Sequence, residues 1–333
     1  MTGSSMMFNL RDANASELSH NHQTSFLRAP HEGFEARRLF KDRYALIKGA
    51  LERHPHQGVL ILAFDKQEAP IGQVWMESSL DRTRALIIGR HSSAGLVIPG
   101  EYESISLRHL SVMVRATSHE DMNLRVVDLH SGLGFADEHG RALKSVTTDG
   151  SVFLALGSVR LVILQTTPSP ILPKDAATAY AAIPERIFID ECAFVPRARS
   201  LLPVGESTMV RSQLGPLSAT GRLLEHGELP FMRLSLSGEE MTVTRDVGVR
   251  ALERGILIGR YSRCDVRTGQ DSAAVSRVHM MLTCDGTNVL AVDAGSMNGT
   301  WIEGRAIRAA PILSGQEVRL GSARDLVLRA ERL

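Results

Sequence analysis

The stretch VSRVHMML at residues 275–282 sets a hydroxyl, a guanidinium and an imidazole, from Ser276, Arg277 and His279, at the entry to an apolar run. A second guanidinium, Arg260, follows Gly259 in GILIGRYSR, and a carboxamide, Asn298, precedes Gly299 and Thr300 in DAGSMNGT. Two chemistries are open to such a set. Guanidiniums beside a short, steerable hydroxyl suit phosphate capture, because the planar fork meets two oxygens at once and keeps its charge at any working pH. A carboxamide, with one acceptor and two donors, suits a grip on a peptide main chain. The other chemistry is nucleophilic: Ser276, His279 and Asp293 contain the groups of a hydrolase triad, and Ser131 in HSGLG has a superficial likeness to a nucleophile elbow.

The nucleophilic pattern fails on its spacing. Leu129 stands where the elbow needs its first glycine, and no strand-turn-helix raises the serine. Ser276 and His279 are three apart at a strand entry, so their side chains point to opposite faces and the base does not reach the hydroxyl. Each remaining residue also has a plain structural reading. Asn298-Gly299 is a turn signal, Gly259-Arg260 a strand end, Arg277 a surface charge, and His279 a packed histidine with its ring nitrogens held by backbone groups. Their joint occurrence in one order is what points to binding. The pairs His20/His22 and His54/His56 lack a third ligand at fixed spacing and read as solvated tail residues, so no metal site is expected.

Lys plus Arg number 38 against 37 for Asp plus Glu, which leaves no global field to gather nucleic acid or an anionic membrane. Cys192, Cys264 and Cys284 form no CxxC pair, against a disulfide framework or a zinc site. The first residues lack a signal-peptide apolar core, and no run approaches the roughly 18 apolar residues of a membrane span. A cytoplasmic protein without membrane or nucleic-acid contact is expected.

An internal repeat organises the chain. ALIIGRHSS at 85–93 matches GILIGRYSR at 255–263, and ISLRH matches VSRVH, both at an offset of 259 − 89 = 170. VVDLHSGLGF at 126–135 matches AVDAGSMNGT at 291–300, and ALGSVRLVIL matches RLGSARDLVL, at offsets of 293 − 128 = 165 and 321 − 157 = 164. Each copy reads as short strands rich in β-branched residues and broken by Gly, Asp, Ser and Pro, with no long helical period. The fold class is therefore all-β, two sandwiches of roughly 100 residues each. The expected division is a partly disordered extension at 1–57, a first sandwich at 58–166, a Pro-containing linker at 167–229 and a second sandwich at 230–333. One amphipathic helix is expected at 34–54, and residues 1–33 read as disordered.

The second copy resembles a forkhead-associated (FHA) domain through Gly259-Arg260, Ser276-x-x-His279 and Asn298-Gly299-Thr300 in order, over about 230–331. The first copy is similar to the same family more weakly, over about 58–166. The resemblance implies a β-sandwich that binds phosphothreonine peptides without catalysis or cofactor. It implies that Arg260, Ser276 and Arg277 contact the phosphate, Asn298 the peptide backbone, and that Gly259, His279 and Gly299 shape the loops. Implied partners are a phosphothreonine-containing protein and a Ser/Thr protein kinase or its substrate. The first copy keeps Arg90, Ser106 and His109, but Leu107 stands in the place of Arg277 and Leu133 in that of Asn298. Both losses fall on the ligand side, so this copy is expected to be degenerate and to serve assembly, with Arg108 a candidate to compensate. The alternative is a phosphate-independent scaffold that uses both sandwiches as protein-binding surfaces.

Overall fold

The structure, a computed structural model, describes residues 33–333 except 120, 169–171, 184–187, 194–222, 226, 239–240, 270–273, 285–287 and 322–325. The segment read as disordered, with His20 and His22, lies outside the described residues up to position 32.

Helices α1 (Ala36–Asp42) and α2 (Tyr44–Glu52) open the described chain. The expected helix at 34–54 is thus interrupted at Arg43, whose φ of −108° and ψ of 11° leave the helical range. The first sandwich follows as β1 (Gly58–Phe64), β2 (Pro70–Glu77), β3 (Arg84–Gly89), β4 (Leu96–Val97) and β5 (Leu110–Ala116). It continues with β6 (Met122–Asp128), β7 (Phe135–Asp137), β8 (Ala142–Thr148), β9 (Val152–Leu156) and β10 (Val159–Thr166). Hydrogen bonding runs through them in the order β2-β1-β10-β9-β7-β8-β6-β5-β3-β4.

Strand β1 is buried along its whole length, and its alternation explains why. Val59, Ile61 and Ala63 enter the sandwich core, while Leu60, Leu62 and Phe64 face Leu39, Phe40 and Ile47 of the helices. A strand covered on both faces needs no polar alternation, which is why VLILAF is apolar throughout. The helices are therefore the cover of the outer face.

The stretch read as a Pro-containing linker begins as part of this cover. Helix α3 (Ala176–Ala181) is capped by Asp175, whose carboxylate accepts from Thr178 N at 2.7 Å. Its Tyr180 packs edge-on against Phe40 at 5.4 Å, and Tyr44 Oη donates to Pro173 O. Strand β11 (Phe188–Ala193) then pairs antiparallel with β8. His54 is likewise no solvated tail residue: its ring stacks on Trp75 at 5.0 Å, with the His56 ring 6.3 Å away.

The second sandwich comprises β12 (Met232–Gly238), β13 (Thr242–Val247), helix α4 (Val249–Arg254), β14 (Ile256–Gly259), β15 (Val266–Arg267) and β16 (Met280–Cys284). Strands β17 (Val289–Asp293), β18 (Thr300–Ile302), β19 (Arg305–Ile307), β20 (Ala309–Pro311), β21 (Glu317–Leu320) and β22 (Leu326–Arg332) complete it. One sheet runs β13-β12-β22-β21-β18-β19 and the other β15-β14-β16-β17-β20. Leu234, Ile258, Met280, Leu282, Val318 and Leu328 fill the space between them.

The two sandwiches pack on each other. The faces of β3-β5-β6 and β14-β16-β17 turned away from their own cores meet in a cluster of Ile87, Met113, Val127, Leu129, Leu257, Cys264, Met281, Leu290 and Val292. Ile87 and Leu257 are repeat equivalents (257 − 87 = 170), as are Val127 and Val292 (292 − 127 = 165). The polar rim follows the same rule. Ser93 Oγ donates to Gly295 O at 3.0 Å, and Arg263, its equivalent (263 − 93 = 170), donates to His130 O at 3.5 Å and Ser131 O at 2.9 Å. Since 295 − 130 = 165, the duplicated domains meet through the same patch on each, in the manner of an isologous dimer on one chain.

Candidate functional site

Three loops of the second sandwich carry the residues singled out in the sequence. The turn after β14 is zipped to the loop before β16 by Arg260 N→Ser276 O at 3.2 Å and Tyr261 N→Arg277 O at 2.9 Å. Gly259 is required for this approach, because a Cβ there would press into the Arg277 carbonyl oxygen. The first copy has the same close pass, Gly89 against the Leu107 carbonyl oxygen.

The third loop, 295–299, hangs on the second. Ser276 Oγ accepts from Met297 N at 3.0 Å, and Asn298 Nδ2 donates to Ala274 O at 2.9 Å. Among the described residues Ser276 keeps its hydroxyl proton and Asn298 its Oδ1 and second N–H for other partners. His279 is fully buried, with Nδ1 accepting from Ser276 N and Nε2 donating to Gly299 O, both at 3.0 Å. Burial holds its pKa below the ordinary imidazole value, and Gly299 and Asp293 oppose that only in part. A neutral ring with its proton on Nε2 therefore clamps two loops. Gly299, at φ 76°, takes the left-handed conformation that the turn requires.

So Arg260, Ser276, Arg277 and Asn298 are brought together, with His279 and Gly259 behind them. Their charges are available. Arg260 spends Nε on Val275 O, and Arg277 is exposed while its carbonyl is held by Tyr261 N and by Cys264 Sγ at 3.3 Å. Arg233, Arg250, Arg254 and Arg329 of the same sandwich sit in ion pairs with Asp246, Glu225 and Glu317. Neither Arg260 nor Arg277 has a carboxylate partner among the described residues. Two guanidiniums, one free hydroxyl proton and a carboxamide at one surface are suited to a phosphate group attached to a peptide.

Asp293 and Trp301 hold the third loop and were missed as such in the sequence. Asp293 accepts from Ser296 N at 2.8 Å, Ser296 Oγ at 2.6 Å and Thr300 Oγ1 at 2.7 Å. The carboxylate thus holds the backbone three residues on, and Asp-x-x-Ser is the signal, repeated as Asp128 to Ser131. Trp301 Nε1 donates to Asn298 O at 3.0 Å, which fixes the peptide that carries the carboxamide. Ser131 Oγ is spent in its own turn, donating to Asp128 and accepting from Gly134 N, and is not raised as a nucleophile.

The first copy keeps the frame and changes the surface. His109 makes the same two bonds, to Ser106 N and Gly134 O, at 3.0 Å each. Arg90 spends Nε on Ile105 O at 2.6 Å and Nη1 on Gly100 O at 3.2 Å, and Ser106 Oγ donates to Ser131 O. Leu107 is 46% exposed in the Arg277 position. Arg108 does not compensate for it. Its guanidinium leaves the first site altogether and donates to Gly295 O of the second sandwich.

Among the described residues no group of three or more His, Cys, Asp and Glu side chains is placed to hold a metal, and no helix is long and apolar enough to cross a membrane.

Residues 256–321 match the family model described as "FHA domain". A curated protein, the ABC transporter ATP-binding/permease protein Rv1747 of Mycobacterium tuberculosis, is 29% identical over 93 residues, 28% of this chain. The match takes in a tenth (10%) of that relative's length. Among solved structures, FHA-1 of Rv1747 from Mycobacterium tuberculosis is 28% identical, with 31% of this chain and 98% of that one covered at a TM-score of 0.26. The FhaA FHA domain, solved in complex with the intracellular domain of Rv3910, is 24% identical, with coverage of 30% and 99% and a TM-score of 0.26.

Proposed function

Because the second sandwich carries an FHA domain at 256–321, we propose that this protein is a non-catalytic adaptor whose C-terminal domain reads phosphothreonine on a partner protein. In this reading Arg260, Ser276 and Arg277 bind the phosphate and Asn298 binds the ligand's main chain. The partner is a phosphoprotein of a Ser/Thr kinase pathway, the kinase itself or its substrate. The observation that carries the reading is the pair of guanidiniums, Arg260 and Arg277, tied to the same loops as a free hydroxyl donor and without carboxylate partners among the described residues. A surface that binds a dianion needs that unspent charge.

The first sandwich serves assembly in this reading. Its arginine donates Nε and Nη1 to backbone carbonyls, and a leucine side chain has no hydrogen-bonding group to replace Arg277 or Asn298. Losing one charge-assisted contact to phosphate forfeits on the order of 1.5–3 kcal/mol, about ten- to a hundredfold in affinity. The test is a phosphothreonine peptide library presented to the full chain beside its unphosphorylated and phosphatase-treated forms. Binding of the phosphorylated pool alone supports the reading. Equal binding of all three pools turns the protein into a phosphate-independent scaffold.

A further inference from the structure

Gly295 O, three residues before Asn298, accepts hydrogen bonds from two residues of the other sandwich. Arg108 donates to it from Nε at 3.0 Å and from Nη2, and Ser93 Oγ donates at 3.0 Å. Gly295 has φ 73°, and a Cβ there would lie 3.2 Å from Ser93 Oγ and 3.4 Å from Arg108 Nε. The close approach is therefore built into a glycine. A carbonyl held by three donors fixes the orientation of the following peptide unit. That unit carries the Ser296 N–H bound by Asp293, and the loop then runs directly to Met297 N on Ser276 Oγ and Asn298 Nδ2 on Ala274 O. The two directions differ in which position supplies the guanidinium. Val278 is the repeat equivalent of Arg108 (278 − 108 = 170), so the second sandwich reaches the matching loop of the first from a different position, through Arg263 on His130 O and Ser131 O.

We propose that Arg108 is a positioning residue for the ligand-binding loop of the second sandwich, so that the degenerate copy acts on the affinity of the working one. This rests on the phosphothreonine reading, and it gives the first sandwich a defined part in recognition. Arg108 lies within electrostatic reach of Asp293, which favours its charge, and of His279, whose protonation it opposes, two residues that hold the same loop. Arg125 provides the comparison. It crosses the same interface to Cys284 O and Glu253 O, at the far end of β16, about 13 Å along the strand from the site.

The experiment uses the full chain as wild type, Arg108→Met, Arg108→Lys and Arg125→Met. It reads affinity for a fluorescent degenerate phosphothreonine peptide library, melting temperature, and amide hydrogen exchange of residues 296–299. Arg108→Met should weaken binding about tenfold, within the range of typical couplings between sites. It should also speed exchange at 296–299, and Arg108→Lys should recover part of both. Arg125→Met should lower the melting temperature while leaving affinity and exchange at 296–299 as in wild type. Equal losses of affinity in Arg108→Met and Arg125→Met would reduce the effect to interface stability and overturn the proposal, as would wild-type affinity in Arg108→Met. Should the wild type bind no phosphothreonine peptide, the reading of the site falls, and exchange alone decides on Arg108: unchanged exchange at 296–299 in Arg108→Met overturns its role.

Discussion

His279 and Gly299 are joined by a 3.0 Å hydrogen bond from ring Nε2 to the carbonyl, and the same bond joins His109 to Gly134 at 3.0 Å. In each case the other ring nitrogen accepts from a serine N–H, a role that an imidazolium cannot fill. Both rings must stay neutral for the loops to hold.

Stability should accordingly fall on acidification. Burial lowers the folded-state pKa of His109, His130 and His279 below the ordinary 6.5. The unfolded chain therefore takes up protons first, near pH 6.5, and the stability these rings contribute is present above that pH and lost as pH falls through the depressed folded values. Thermal melts from pH 8 to pH 5 should be level above neutrality and drop below pH 6.5. A melting temperature that rises over the same descent contradicts the neutral-ring clamp.

The glycines of the close pass separate framework from function. Gly259→Ala drives a Cβ into the Arg277 carbonyl and Gly89→Ala into that of Leu107, and overpacking of this kind costs about 1–3 kcal/mol. Both variants should melt lower in calorimetry. Only Gly259→Ala should also lose phosphopeptide binding, since Gly89 stands in the degenerate copy. Unaltered binding in Gly259→Ala at a temperature where it is folded would detach that loop from the site.

The helical cover should carry real stability. Ile47 is fully buried against the outer face of the first sandwich, and Ile47→Ala should cost about 2–5 kcal/mol in urea unfolding. A loss below about 1 kcal/mol would mean that the helices lie on the sheet without packing into it.

Much of this was legible in the sequence because the signals are local. Gly259-Arg260, Ser276-x-x-His279 and Asn298-Gly299 each mark a turn or strand end, and the offsets of 170 and 165 carry over to the hydrogen bonds of His109 and His279. The short β4, β7, β15, β19 and β20 were too brief to show a pattern. What escaped is non-local. VHMML is apolar on both faces because one face meets its own core and the other the first domain, and an apolar run does not say what covers it. Arg108 escaped for the same reason, as its target lies 187 residues away in the chain. The helix α3 and strand β11 were hidden by the prolines around them, which signalled loop.

The ligand's γ-methyl group should matter. A pocket shaped for it buries about one methyl more than with phosphoserine, worth roughly 0.8 kcal/mol before any loss of ligand freedom. Matched phosphothreonine and phosphoserine peptides should differ several-fold in Kd by fluorescence anisotropy. Equal Kd values contradict a threonine-shaped pocket.

The division of labour between the copies is tested most directly by calorimetric titration of a phosphothreonine peptide selected from the library into the full-length wild type, Arg90→Ala and Arg260→Ala. Arg90 donates Nε to Ile105 O and Nη1 to Gly100 O, whereas Arg260, among the described residues, donates Nε to Val275 O. One working site should leave Arg90→Ala binding within about twofold of wild type and Arg260→Ala without measurable binding, consistent with the loss of a charge-assisted phosphate contact. If Arg90→Ala weakens binding as much as Arg260→Ala, both proteins remaining folded, the first sandwich is itself a reader and the division of labour between the two copies is wrong.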